Sequence, residues 1–388
     1  MSPRRNIRLL SWFNFFVNFE PLAPVAIIYF SHVTGSFTLG MSVFSISMLA
    51  SAVFEVPTGV FSDMIGRKYT MTLGGIAGTL SILCYALATS FPLLAVGSVF
   101  EGLMMALYSG NNNAFLHDTL KEARQEEQYA HFLGRTSSLF QAGLGISALL
   151  GGVIAEYSLP LVLWIGVLPR FMCVLLSLFM REPKIHEKSD GNIFAHLAEA
   201  LRNFKKNARL RTLSMASILD FGVGQAEWRF TPAFFQMFWP LWAIGLGRML
   251  ANLLACLSYW FSGRIIKRFK ALPVLLTGKI TSHTVAFIAC GFPTVLSPLM
   301  ISCTSIIYGM KSVAENSLLQ REFTDRQRAT MGSLNTFAGS LLHAVFAVCF
   351  GLVADSLGPA KPLLIVECIL FSGVFLYWSV FRKERARA

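Results

Sequence analysis

Charged and amide side chains recur inside the long apolar stretches of this chain, where each needs a partner, water or a ligand. Asn14, Asn18 and Glu20 are spaced to share roughly one helical face, and Glu20 stands just before Pro21 and Pro24. A second group, Asp220, Glu227 and Arg229, comes shortly before Pro232. Proline removes a backbone donor and bends a helix, which frees carbonyls where the helix lines a cavity. A carboxyl in low-dielectric surroundings holds a proton more readily than in water, so it can load and unload as water access alternates. Glu20 is the first candidate for that exchange and Glu227 the second. Arg170, Arg229 and Arg248 would balance such charge, or grip a carboxylate or phosphate in two places.

The other interior charges are Glu55, Glu101, Lys279, Lys311, Glu315 and Glu367. Charge in lipid costs several kcal/mol unless paired or wet, so each is weighed as functional or structural. Lys311 and Glu315 are four apart on one helix and are expected to form a static pair. Glu227 and Arg229 are two apart and do not face each other, so at least one needs another partner. Glu367 is expected to be structural. Glu55, before Pro57-Thr58-Gly59, suggests a gate or packing role. Asn111, Asn112 and Asn113 cannot all face lipid, because their amides would go unsatisfied. At least one, with Asn112 the candidate, must point inward.

The elements that carry these residues follow from composition. With mean hydropathy +0.56, 54% apolar and only 14% charged residues over 388 positions, the chain is too apolar for a soluble enzyme of that length. A span needs about 20 apolar residues. That rule gives twelve spans, near 9–31, 38–61, 69–90, 93–117, 132–156, 160–180, 211–235, 240–262, 271–290, 293–317, 331–354 and 361–381. Of the 33 lysines and arginines, five lie well inside these spans and 27 fall in connections or at span ends on one side, leaving only Lys361, at a span end, on the other. Basic residues mark the cytoplasmic face, so both termini are expected there. The net charge of +12 therefore points to a membrane surface rather than to nucleic acid. The longest loop divides the spans six and six, giving an expected 1–181 bundle, a 182–210 linker and a 211–388 bundle. Over 193–213, apolar residues at helical spacing against Lys205, Lys206 and Arg209 suggest a helix lying on anionic lipid.

One turn is unusually specific. Gly59-Val60-Phe61-Ser62-Asp63-Met64-Ile65-Gly66-Arg67-Lys68 reads Gly-x-x-x-Asp-x-x-Gly-Arg-Lys between the second and third spans. Its glycines suggest close backbone approach, and Asp63 lies within reach of an arginine or a neighbouring helix's positive end. Asp118 is a plausible partner for Arg67, closing an inner gate of Glu55, Gly59, Asp63, Gly66, Arg67, Lys68 and Asp118. The segment 61–68 also lines up without gaps on Phe261-Ser262-Gly263-Arg264-Ile265-Ile266-Lys267-Arg268, as an internal duplication would give.

This turn resembles the loop 2–3 signature of the major facilitator superfamily, a family of secondary transporters. The resemblance implies an all-α membrane protein of twelve transmembrane helices in two six-helix pseudo-symmetric halves, with the solute path near mid-membrane. The drug/proton antiporters of that family carry an arginine four residues before Gly102, where this chain has Ser98. Their fifth-span glycines are matched by Gly134, Gly143, Gly151 and Gly152, while Ser147-Ala148 replaces Gly-Pro.

Several chemistries find no support. Asp220-Phe221-Gly222 spells a kinase metal motif but lies inside an apolar helix with no catalytic loop. There is no phosphate-binding Gly-x-x-x-x-Gly-Lys-Ser/Thr loop, no HExxH and no nucleophile elbow. The seven cysteines are single and scattered, and the histidines isolated, so neither a disulfide nor a metal site is expected. The first apolar run has no small-residue cleavage site and reads as a retained helix. The expectation is a monomeric, cofactor-free, non-enzymatic transporter in a bacterial cytoplasmic (inner) membrane. It would export amphipathic compounds with protons as the coupling ion, using Glu20, Asn14, Asn18, Glu101, Asn112, Arg170, Asp220, Glu227, Arg229 and Arg248. The alternatives are uptake or exchange of a polar or anionic metabolite through the buried arginines, and a non-transporting receptor of the same fold.

Overall fold

The computed structural model describes residues 3–183, 202, 204–323 and 328–385, and the helices below are numbered within them. They are α1 (Pro3–Val17), α2 (Ala26–Thr34), α3 (Phe37–Ile65), α4 (Arg67–Leu87), α5 (Phe91–Tyr108), α6 (Asn111–Glu122), α7 (Tyr129–Tyr157) and α8 (Leu159–Phe179). There follow α9 (Ala208–Phe235), α10 (Leu241–Phe269), α11 (Ala271–Gly291), α12 (Ser297–Cys303), α13 (Ser305–Glu322), α14 (Arg328–Leu357) and α15 (Ala360–Arg385). The chain forms two compact units. One holds Met1–Ser189 and Pro240–Met249, the other Asp190–Trp239 and Leu250–Ala388.

Among the described residues, nine helices are long and apolar enough to cross a membrane. The expected spans outside that set are the first, seventh and tenth, which are broken or carry several charges. The first span is two helices, not one. α1 stops at Val17, residues 18–22 are irregular, and a 3-10 turn at Ala23–Val25 leads into α2. Proline explains the stop, because Pro21 has no N–H to give the carbonyl of Val17 four residues back. The fourth span also breaks, at Ser109–Gly110, where Gly110 has φ 68°. Nothing lies within 4 Å of a Cβ built there, so conformation alone asks for glycine. The tenth span is divided at Thr304 into α12 and α13. α9, by contrast, stays helical through Pro232.

In the first unit α1 packs on α7 and α8, α4 on α5 and α8, and α3 on α5. Its core joins Leu10, Phe13, Met71, Phe115, Leu116 and Cys173. The seat for the broken first span is made by glycine on α7. A Cβ on Gly143 would come 2.5 Å from the Phe15 carbonyl, and one on Gly151 would collide with the Pro21 carbonyl. The irregular backbone can lie against α7 only because both positions lack a side chain.

In the second unit α9 packs on α14 and α15, and α11 on α13 and α15, around Leu213, Leu275, Ala314 and Tyr377. The units repeat one contact. In the first, a Cβ on Gly102 of α5 would come 2.5 Å from Ala50 Cβ and 2.7 Å from the Ser51 nitrogen on α3. In the second, a Cβ on Gly309 of α13 would come 2.8 Å from backbone at Ser258 and Tyr259 on α10. The ungapped duplication needs a correction. α3 ends at Gly66 with φ 99° and α10 ends at Lys270 with φ 67°, each running straight into the next helix. Lys270, not Ile266, is therefore the counterpart of Gly66. The sequence match was off by four residues, about one helical turn, because an apolar helix nearly repeats at that interval.

Residues 193–201 and 203 of the expected surface helix lie outside the described residues. Of the remainder, Phe204 packs on the second unit's core, and Asn207 caps α9 by accepting from the Arg209 and Leu210 nitrogens.

Gly102→Val should overpack the α3–α5 contact and cost about 1–3 kcal/mol. The check is thermal unfolding in detergent, where the variant should melt below wild type; an unchanged melting temperature would refute the close approach.

Candidate functional site

The first cluster is built on the break in the first span. Arg170 of α8 donates through Nη1 to the Val17 carbonyl at 2.7 Å, the acceptor that Pro21 leaves without a helical donor. Its Nη2 meets the Glu20 carboxylate in an ion pair. The arginine side chain is 11% exposed and the glutamate 31%, so the pair is sheltered on one side and open on the other. Gly78 on α4 leaves room for the arginine, since a Cβ there would come 3.3 Å from Arg170 Cδ. Asn18 donates to the Asn14 carbonyl (2.9 Å), and Asn112 of α6 donates to Asn14 Oδ1 (3.3 Å). Glu101 instead accepts from Tyr85 at 2.7 Å. Tyr108 Oη and Asn112 Oδ1 are buried without a hydrogen-bond partner among the described residues. Beside the cluster, an aromatic run leads from α1 into the irregular segment. Trp12, 47% exposed, meets Phe15 at 5.7 Å, and Phe15 meets Phe19 at 5.7 Å between ring centroids.

The second cluster is the turn between α3 and α4. Arg67 Nε lies 3.7 Å from Asp118 Oδ2, and its Nη1 donates to Ser62 Oγ at 3.2 Å. Ser62 donates to Asn111 Oδ1, and Asn111 donates to the Arg67 carbonyl, both at 3.0 Å. Glu182, absent from the sequence expectations, caps α4: its two oxygens accept from the Arg67 and Lys68 nitrogens, each at 2.7 Å. A carboxylate at a helix N-terminus satisfies open N–H groups and the helix dipole together. Gly66 is required twice over, by φ 99° and because a Cβ there would meet Glu182 Oε1 at 2.6 Å. The only sequence signal for Glu182 was an acid wedged between the end of an apolar run and Pro183.

Other gate residues behave differently. Gly59 was expected to permit close approach, yet a Cβ there meets nothing within 4 Å, because its side of α3 faces open space. Glu55 accepts from Ser109 Oγ at 3.3 Å, and Lys68 Nζ stands 5.7 Å from the Tyr69 ring. The Asp63 side chain lies outside the described residues.

The second unit holds a denser network. Lys279 of α11 pairs with Asp220 of α9, which also accepts from Tyr377 of α15 at 2.9 Å. Glu315 of α13 lies within hydrogen-bond reach of Ser217 and Tyr377. The expected Lys311–Glu315 pair does not form. Lys311 Nζ donates to Ser282 Oγ on α11 at 2.7 Å, its stem drawn into a slot where a Gly278 Cβ would sit 2.9 Å from Lys311 Cγ. Glu367, expected to be structural, is 2% exposed and within hydrogen-bond reach of Glu227. His283 Nδ1 stands 2.8 Å from Glu367 Oε2. Arg229 of α9 lies near His343 of α14. Arg248 is buried on the stretch of α10 that belongs to the first unit.

A family model described as Major Facilitator Superfamily matches residues 7–347. An uncharacterized MFS-type transporter of Methanocaldococcus jannaschii is 22% identical over 372 residues, covering 94% of each chain. Multidrug resistance protein 2 of Bacillus subtilis is 20% identical over 379 residues, 92% of this chain and 89% of its own. A crystal structure of a variant of the nucleoside transporter NupG superposes with TM-score 0.85 at 13% identity, covering 98% of this chain and 100% of that one.

Two substitutions test the gate turn. Glu182→Ala should uncap α4 and cost about 0.5–2 kcal/mol. Gly66→Ala should cost more, because it adds strained φ to loss of the carboxylate's seat. Both are read by thermal unfolding, and a neutral Glu182→Ala would contradict the cap.

Proposed function

The chain belongs to the major facilitator superfamily, whose fold has twelve transmembrane helices in two halves, and from that premise we propose that it is a proton-coupled exporter of amphipathic, cationic organic compounds. Membrane transport is the family's activity, and direction, solute and coupling ion are the proposal. One observation carries it: the Glu20 carboxylate, partly open, is held by Arg170 at a break in the first span. The aromatic run of Trp12, Phe15 and Phe19 leads from α1 into the same break. Aromatic faces and a carboxylate are complementary to a lipophilic cation.

In this reading a proton and a cationic solute compete for Glu20, which is the requirement for antiport. Protonation removes the charge that Arg170 Nη2 faces, while Nη1 keeps the Val17 carbonyl satisfied, so the break survives the change of state. The Asn112–Asn14 hydrogen bond holds α6 against α1 as this happens, while Asn18 caps the end of α1 through the Asn14 carbonyl. The Arg67–Asp118–Glu182 turn acts as the inner gate, with Lys68 and both termini on the cytoplasmic side of a bacterial inner membrane. The division into 1–181, 182–210 and 211–388 is the working unit, as a monomer with no catalytic chemistry and no nucleic-acid partner.

The export reading also draws on the whole-length likeness to a protein named for multidrug resistance. Uptake of an anionic metabolite has less support, because Arg170, one of its three candidate arginines, is already engaged by Glu20 and Val17.

The test is ethidium transport by the reconstituted protein under an imposed pH gradient. Glu20→Gln should reduce transport to the leak rate, while Arg229→Ala should leave most of it. The opposite ranking with an anionic solute would favour uptake, and no flux of any solute would favour a receptor.

A further inference from the structure

We propose that the second unit carries a proton-binding site of its own, a proton shared between Glu227 of α9 and Glu367 of α15 and oriented by His283 of α11. This deepens the transport reading by adding a coupling site apart from Glu20, but the bound proton is testable without any transport.

The two carboxyls lie within hydrogen-bond reach of one another. Neither can donate unless one holds a proton, and two ionised carboxylates at that range in a low-dielectric interior repel strongly. Glu367 is 2% exposed, so water does not screen that repulsion. His283, 8% exposed, aims its ring into the pair with Nδ1 at 2.8 Å from Glu367 Oε2. Its Nε2 is buried without a hydrogen-bond partner among the described residues. A single proton on either carboxyl bridges the pair, and the neutral imidazole donates Nδ1–H to Glu367 Oε2, leaving Nε2 as an acceptor that finds no partner among the described residues.

Charge balance points the same way. Around this spot α9 supplies Asp220 and Glu227, α11 supplies Lys279, His283 and Cys290, α13 supplies Lys311 and Glu315, and α15 supplies Glu367 and Cys368. Four carboxyls face two lysines. Lys279 is taken by Asp220, and Lys311 donates to Ser282 rather than to a carboxylate. Lys311 stands near both Glu227 and Glu367, so one cation faces two carboxyls, and a proton on the pair removes the remaining negative charge. A metal cation fits poorly: hard cations take about six oxygens around one point, and among the described residues no three His, Cys, Asp or Glu side chains form such a group.

The experiment is infrared spectroscopy of the purified full chain in lipid at neutral pH, in H2O and D2O. The wild type should show a deuterium-sensitive C=O stretch of a protonated carboxyl. That band should be lost in both Glu227→Gln and Glu367→Gln, where the new amide can donate in place of the proton, and should survive in Glu20→Gln. His283→Asn should shift it without abolishing it. Absence of the band in wild type overturns the proposal whether or not the variants accumulate, and so does a band untouched by both glutamine variants. Loss of the band when sodium chloride replaces choline chloride would make sodium the occupant and overturn the proton. If ethidium transport fails while the band behaves as expected, the export reading falls and the proton site stands.

Discussion

A carbonyl without a donor is the constraint from which much of the first unit follows. Inside a bilayer no backbone group can be left to water, so the Val17 carbonyl that Pro21 orphans must be satisfied from elsewhere in the protein. Arg170 does so at 2.7 Å. An arginine brought there for a backbone acceptor carries a charge that needs an anion, and Glu20, three residues past Val17 in the unwound segment, supplies it. Proline, break, arginine and carboxylate are thus one physical unit. Gly143 and Gly151 on α7 complete it by letting the irregular backbone lie flat.

The two units share a plan but distribute polarity differently. Gly102 and Gly309 make equivalent close approaches, as duplicated bundles would. Yet the first span is broken, whereas its counterpart α9 stays helical through Pro232 and presents Asp220 and Glu227 to α11 and α15. The first unit exposes a single ion pair at unwound backbone; the second encloses a network of carboxyls and lysines between intact helices.

Much of this was legible in the sequence, for physical reasons. Spans follow from apolar length, and the α3–α4 turn from a local pattern in which Gly66 alone tolerates φ 99°. The approach of Arg67 to Asp118 was foreseen from charge and position. What escaped notice depended on partners distant in sequence. Glu182 caps a helix that begins 115 residues earlier, and Lys311 turns from Glu315 because Gly278 on another helix opens a slot. Glu367 read as structural because nothing near it in the chain announces Glu227 or His283. The tight duplication at 261–268 slipped by a turn because helical periodicity rewards that error.

The central claim is that Glu20 and Arg170 act as a coupled pair that holds the break. A double-mutant cycle of Glu20→Gln and Arg170→Gln, read by thermal unfolding in lipid nanodiscs, tests it most directly. Because Glu20 is partly exposed, Arg170→Gln should cost less than the roughly 3–5 kcal/mol of breaking a fully buried pair. The account predicts strong non-additivity, with the double variant more stable than the two single losses sum to. Additive losses would mean that the two side chains act independently, and would contradict it.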